Sequence, residues 1–201
     1  QISADIQYVD AITDSIDFTV FDRIDFPGFV MDLRGSIPSI TMGGGAAYAE
    51  NRSNYWWSAA MDHHDDNDAD ELAGRIDISY DIEESWLKAF RVGVRHSERN
   101  LINRESTWNW GYISEWWGGN PLAYLDGVNS GGVGAQNNHL YQFPNFMRGE
   151  ASLPSQLWFP DMSLVEQGPN DAYAFIHQLQ TGGWGWVPFD GNYAAAGTNT
   201  Q

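Results

Sequence analysis

From Arg75 to Ile82 the chain alternates without exception, with Ile76, Ile78, Tyr80 and Ile82 at even positions and Arg75, Asp77, Ser79 and Asp81 at odd ones. Successive side chains of an extended backbone point to opposite faces, so this run predicts a strand with one apolar and one polar face. After the polar break Glu83-Glu84-Ser85 the alternation resumes, with Phe90, Val92 and Val94 set against Arg91, Gly93, Arg95 and Ser97. Two such runs around a short break predict an antiparallel hairpin. If Ile82 faces Trp86, then Ile78 faces Phe90, Ile76 faces Val92, and Asp77 faces Arg91, which joins opposite charges on the polar face. A two-residue slip would keep both faces and change every pair.

Upstream, Ile2, Ala4, Ile6 and Tyr8 alternate with Ser3, Asp5 and Gln7, and Ile16, Phe18 and Val20 alternate with Asp17 and Thr19. These read as one bent strand or two short ones. Residues 29–42 suggest another strand, limited by Gly35 and Pro38. Residues 1–99 are thus rich in strands. Residues 100–201 carry most of the glycines and tryptophans and read as a long loop region. Its one helical signal is Asp161–Gln180, where Ser163 and Glu166 have capping-box spacing and Tyr173, Ile176 and Leu179 recur every third residue. The expected fold is all-β and antiparallel, with one short helix.

Charge narrows the partners. The chain has 27 acidic residues against 10 basic ones, which disfavours nucleic acid and anionic membrane surfaces, both of which call for clustered Lys and Arg. With no cysteine, disulfides and thiolate metal sites are excluded. No apolar run is long enough for a transmembrane helix, whereas transmembrane strands need only about 10 alternating residues. The opening QISADIQYV lacks an initiator Met and a leader-like segment, so the expectation is a processed chain or a piece of a longer one.

Several chemistries find little support. Asp66, Asp68 and Asp70 have the alternate spacing of the first part of an EF-hand loop. The match fails at Glu71, where the sharp turn needs Gly, and at Asp77, where the bidentate Glu should stand. A solvated acidic loop over residues 62–71 is the plain reading, and a loosely held surface calcium the alternative. His63 and His64 are adjacent and point apart on an extended backbone, and the remaining histidines are isolated. No G-x-S-x-G, Walker or G-x-G-x-x-G sequence occurs, so neither a catalytic serine elbow nor a nucleotide cofactor is expected. A glycosidase reading would rest on the abundance of acids alone.

The aromatic residues carry more. Trp108, Trp110, Tyr112, Trp116, Trp117, Trp184 and Trp186 stand among glycines and polar residues. An indole offers a broad apolar face and one N–H, a surface that suits the C–H face and polar rim of a sugar ring. Mutual packing of these rings is the competing reading. Together with the alternating strands, they fit a soluble carbohydrate-binding β-sandwich.

Four segments in order, DHHDDNDADELAGRIDISYDI (62–82), WLKAFRVGVRHSERN (86–100), RESTWNWGYISEWW (104–117) and GGWGWVPFDGNY (182–193), resemble successive parts of the β-barrel of TonB-dependent outer-membrane receptors, particularly the large receptors of sphingomonad, Caulobacter and Xanthomonas type bacteria. The resemblance implies a plugged barrel of about 22 strands in the Gram-negative outer membrane, importing a carbohydrate or other bulky nutrient without covalent chemistry or a cofactor. This chain would be an internal segment, coupled to the TonB system through a plug domain outside it. Ile76, Ile78, Phe90, Val92 and Val94 would face lipid, and Arg75, Asp77, Arg91 and Arg95 the lumen. Glu83–Ser85 would be a periplasmic turn, and the acidic stretch and the tryptophan-rich region would be extracellular. Unpaired strand edges would invite association with other chains.

Overall fold

The computed structural model describes residues 1–83, 86–118, 121–151, 156–180, 185–192 and 199–200. In chain order its elements are β1 (Ile2–Ile24), β2 (Phe29–Asp32), β3 (Ser39–Met42), α1 (Gly45–Ala49), β4 (Tyr55–Asp81), β5 (Ala89–Glu105), β6 (Asn109–Tyr112), β7 (Asn138–Gln142), β8 (Gln156–Pro160), α2 (Met162–Glu166), α3 (Pro169–Leu179) and β9 (Asn199–Thr200). Antiparallel strands dominate. No described helix is long and apolar enough to cross a membrane. The chain divides into two compact units, the first formed by residues 1–15, 64–107 and 191–201 and the second by 16–63 and 108–190.

The first unit is built on a sheet of order β1-β4-β5-β9. Its three long strands contain no proline, and β1 stops just before Pro27-Gly28, where the missing N–H and fixed φ end regular pairing. The upstream alternation is therefore one strand of 23 residues. At its start, the Gln1 amino group donates to Ser79 O at 2.7 Å and Ser79 N–H donates back to Gln1 O at 2.8 Å. Further along, Ser15 Oγ donates to Asp65 Oδ2 at 3.3 Å, so β1 and β4 run antiparallel.

The β4–β5 hairpin forms with the expected faces and a different register. Ile76 pairs with Val94, Ile78 with Val92, Tyr80 with Phe90 and Asp77 with Gly93, two residues from the expected pairing. The cause is the connection: β4 ends at Asp81 and β5 begins at Ala89, and Ile82 N–H donates to Lys88 O at 2.9 Å. Trp86 thus belongs to the connection rather than to the ladder, and loop length sets register.

Residues 62–71, expected as an acidic loop, lie within β4. Their ladder partners lie within 99–105 of β5 for Asp65 to Glu71, and polar pairs replace the missing apolar alternation. Glu71 takes Arg99 at 2.7 Å, Asp70 takes Asn100 at 3.1 Å, and Asp66 takes Arg104 at 3.1 Å. The sheet is open among the described residues: β1 pairs only with β4, and β5 meets β9 only at Arg104 and Glu105. No closed barrel is present among them.

The second unit has a conventional core of Tyr55, Trp57, Ile113, Leu125, Leu164, Ile176, Leu179 and Trp186. Removing one of the fully buried rings would cost about 3–5 kcal/mol. The expected strand at 29–42 is a hairpin, with Phe29 opposite Met42 and Asp32 opposite Ser39, because Gly35 and Pro38 fall in its turn. The helical segment is also divided. α2 and α3 are separated at Gly168, which has φ +82°, and Pro169 starts α3. Proline disfavours helical geometry in the residue before it, and glycine tolerates the positive φ required there. Asp161, rather than Ser163, occupies the N-cap position of α2, with no capping bond from its side chain, so the capping-box spacing is not used. With α1, three α-helices are described in place of the one expected.

Candidate functional site

The tryptophan-rich segment is arranged by what lies beneath it. β6 pairs with β4 so that Trp110 faces Met61 and Asn109 faces Asp62 across the ladder. Trp110 and Tyr112 share one face of β6, and Asn109 and Gly111 share the other. On that second face the Trp186 backbone presses against Gly111, where an added Cβ would lie 2.5 Å from Trp186 Cα. Trp186 N–H donates to Tyr112 O at 3.1 Å. The Asp62 side chain is fully buried and accepts Trp186 Nε1–H at 3.0 Å, Asn109 Nδ2–H at 2.7 Å and Phe189 N–H at 2.9 Å. A carboxyl group in the interior requires donors of this kind.

The next residues turn inward and so hold two indoles outward. Ile113 N–H donates to Ser58 O at 2.6 Å, Ser114 Oγ donates to Trp57 O at 2.6 Å, and Ser58 Oγ donates to Glu115 Oε1 at 2.5 Å. Ile113, Ser114 and Glu115 are buried, while Trp116 is 67 % exposed and Trp117 50 % exposed. The Trp117 ring stacks on Trp110 at 6.2 Å with a 24° interplanar angle and meets Tyr112 edge-on at 5.1 Å. Trp110, Tyr112 and Trp117 therefore form one aromatic surface. Trp108 lies against His63 instead, at 4.4 Å and 20°.

Of the seven aromatics singled out from sequence, Trp186 is 1 % exposed and acts as a core ring, so it does not join a contact surface. Trp184 lies outside the described residues. The others are at least partly exposed, and three of them are brought together.

In the first unit, Arg75, Asp77, Arg91 and Arg95 occupy the polar face of the sheet. Arg75 Nε lies 2.5 Å from Asp77 Oδ2, and Arg75 stands opposite Arg95 in the ladder. A hollow of about 450 Å3 involves Ser3, Asp5, Gln7, Arg75, Asp77 and Arg95, and a second of about 520 Å3 extends to Arg91 and Asp81. This face carries both signs of charge, Asp5, Asp77 and Asp81 with Arg75, Arg91 and Arg95, which suits a neutral, hydrogen-bonding ligand better than a strongly charged one. Asp66, Asp68 and Asp70 are strand residues, so neighbouring members of the series are about 6.6 Å apart along the backbone. They do not converge as ion ligands, and Asp66 and Asp70 are engaged by Arg104 and Asn100.

Two features were not anticipated. Asp22 lies on β1, and burial pushes its carboxyl up to about 7. Nearby, burial first and Asp22 second push the Tyr55 hydroxyl up to about 12. The other feature is an apolar hollow beside the β7–β8 hairpin, involving Phe18, Val20, Tyr141, Phe143 and Phe159, with His139 at its margin. Residues far apart in sequence create it, so no local pattern announces it.

No family model, curated protein or solved structure matches this chain.

Proposed function

We propose that the chain is a segment of the β-barrel wall and extracellular loops of a TonB-dependent outer-membrane receptor that imports a carbohydrate. The supporting observation is an apolar face in the first unit that is left in solvent. On β4 it comprises Leu72, Ile76, Ile78 and Tyr80, on β5 Phe90, Val92 and Val94, and on β1 Ile2, Ile6 and Tyr8, all large and all exposed. Three adjacent strands presenting such residues at alternate positions, opposite a polar face with Arg75, Asp77, Arg91 and Arg95, match the apolar-out and polar-in order of a membrane barrel. Leu72 to Tyr80 is also close to the 9–11 residues of a membrane-crossing strand.

In this reading β1 and β5 continue the wall through further strands, the polar face lines the lumen, and the Trp110, Tyr112 and Trp117 surface offers ring faces to a sugar. Coupling to TonB would run through a plug domain. Binding and conformational change suffice for transport, so no residue here is assigned a covalent step. Expression of the complete reading frame followed by membrane fractionation tests the proposal. Outer-membrane recovery and an encoded plug domain are expected; a soluble product, or a frame without a plug, would overturn it.

A second reading, a soluble carbohydrate-binding β module, is favoured by the independent core of the second unit and its exposed aromatic surface. It requires the 201-residue chain to remain monodisperse without detergent and to bind a glycan.

A further inference from the structure

The apolar hollow in the second unit has a volume of about 550 Å3, within the roughly 300–1,000 Å3 of small-molecule sites. Three of its rings brace one another edge to face: Tyr141 and Phe143 at 5.0 Å, Phe143 and Phe159 at 5.9 Å, and Tyr141 and Phe159 at 6.1 Å. Such a trio is preorganised, so a ligand would not bear the cost of ordering it. The walls remain in water, with Tyr141 47 % and Met162 65 % exposed. An apolar concavity left open in this way marks a contact site more often than a packing defect.

His139 supplies the polar element at the margin. Its Nδ1 lies 2.8 Å from Asp161 Oδ1. Because a carboxylate accepts, the neutral ring carries its proton on Nδ1, leaving Nε2 as an acceptor. Nε2 has no partner among the described residues. A ligand suited to this chemistry has an aromatic body for the ring-lined wall and a hydroxyl that can donate to Nε2. A carboxylate-bearing ligand would be opposed by Asp161 and by the chain's net charge of −17.

We infer that the hollow framed by Tyr141, Phe143, Phe159 and His139 is a binding site for a neutral hydroxylated aromatic molecule of phenol type. This site is independent of the sugar surface at Trp110 and Trp117 and of the membrane reading.

Equilibrium dialysis of the full 201-residue chain against 2-naphthol, with a blank of matched buffer or detergent, tests the assignment. Saturable one-to-one binding is expected, with naphthalene and 2-naphthoate weaker. Tyr141→Ala should weaken 2-naphthol by roughly three- to tenfold, the scale of one lost aromatic contact. His139→Ala should remove the preference for 2-naphthol over naphthalene, and Phe143→Leu provides a conservative second probe of the ring wall. The Trp110→Ala/Trp117→Ala double variant should bind as the parent does. Uptake no greater than the blank, equal binding of naphthalene and 2-naphthol by the parent, or unchanged affinity in both Tyr141→Ala and Phe143→Leu would overturn the site. So would a dimer that dissociates on Tyr141→Ala and takes up no 2-naphthol, because a second copy would then be the occupant.

Discussion

The indole N–H of Trp186 donates to the buried carboxyl of Asp62 at 3.0 Å, although the two residues are separated by 124 positions. This bond fixes Trp186 onto β4 and accounts for the close approach at Gly111. Asp62→Ala would remove one acceptor from each of the Trp186, Asn109 and Phe189 donors, leaving Trp186 Nε1–H to Asn109 O at 3.1 Å and Asn109 Nδ2–H to Val187 O at 2.7 Å, and a loss of about 3 kcal/mol is expected. Trp186→Phe keeps much of the ring and should cost less. Denaturant unfolding followed by tryptophan fluorescence measures both, and equal losses would deny the bond its assigned weight.

Asp22 should make stability depend on pH. Its folded-state pKa is raised from 3.8 to about 7 by burial, so between these values the folded state holds a proton that the unfolded state has lost. Its contribution is therefore present below about pH 4, declines as pH rises towards 7, and is absent above. Asp22→Asn should flatten that decline and stabilise the protein at pH 8 by on the order of 2 kcal/mol. Thermal unfolding from pH 4.5 to 8 compares the two proteins, and parallel profiles would contradict this assignment.

In the complete receptor, Ile78→Lys should reduce the amount assembled in the outer membrane. A lysine on a lipid face near the midplane costs about 2–4 kcal/mol. Arg91→Gln on the opposite face should leave assembly near the parental level. Quantitative blotting of outer-membrane fractions separates these outcomes, and equal assembly would argue that the Ile78 face does not meet lipid.

Trp116→Ala combined with Trp117→Ala should weaken oligosaccharide uptake by the complete receptor more than Ile78→Ala does. Loss of aromatic contacts of about 0.5–1.5 kcal/mol each would appear as severalfold weaker binding. Uptake of a labelled oligosaccharide is the measurement, and equal effects would remove the aromatic surface from ligand contact.

The faces of the β4–β5 hairpin were legible because Ile76, Ile78, Phe90, Val92 and Val94 alternate with polar residues, and a period of two has one structural meaning. Asp65 to Glu71 was not legible as strand, since its stabilising partners are the polar residues Arg99, Asn100 and Arg104 on β5 rather than apolar neighbours in its own sequence. The tryptophans show a different limit. Trp117 and Trp186 both stand beside glycines, yet one is half exposed and the other buried. Asp62 holds Trp186 in, while the inward turn of Ile113 to Glu115 holds Trp117 out, and no local pattern announces either. The phenol-type hollow lay beyond reach for the same reason: Phe18, Tyr141 and Phe159 meet only after the chain has folded.

Gly93 stands opposite Asp77, and a Cβ there would meet Asp77 Oδ1 and require that carboxyl to swing aside. The alternating pattern tolerates a slide of two residues, and Coulomb attraction would even reward one by bringing Asp77 to face Arg91. The adopted alignment instead sets Arg75 against Arg95 and places the Asp77 carboxyl in the space that glycine leaves. The connection sets the alignment, and a vacancy one methyl wide at Gly93 receives the carboxyl that this alignment brings there.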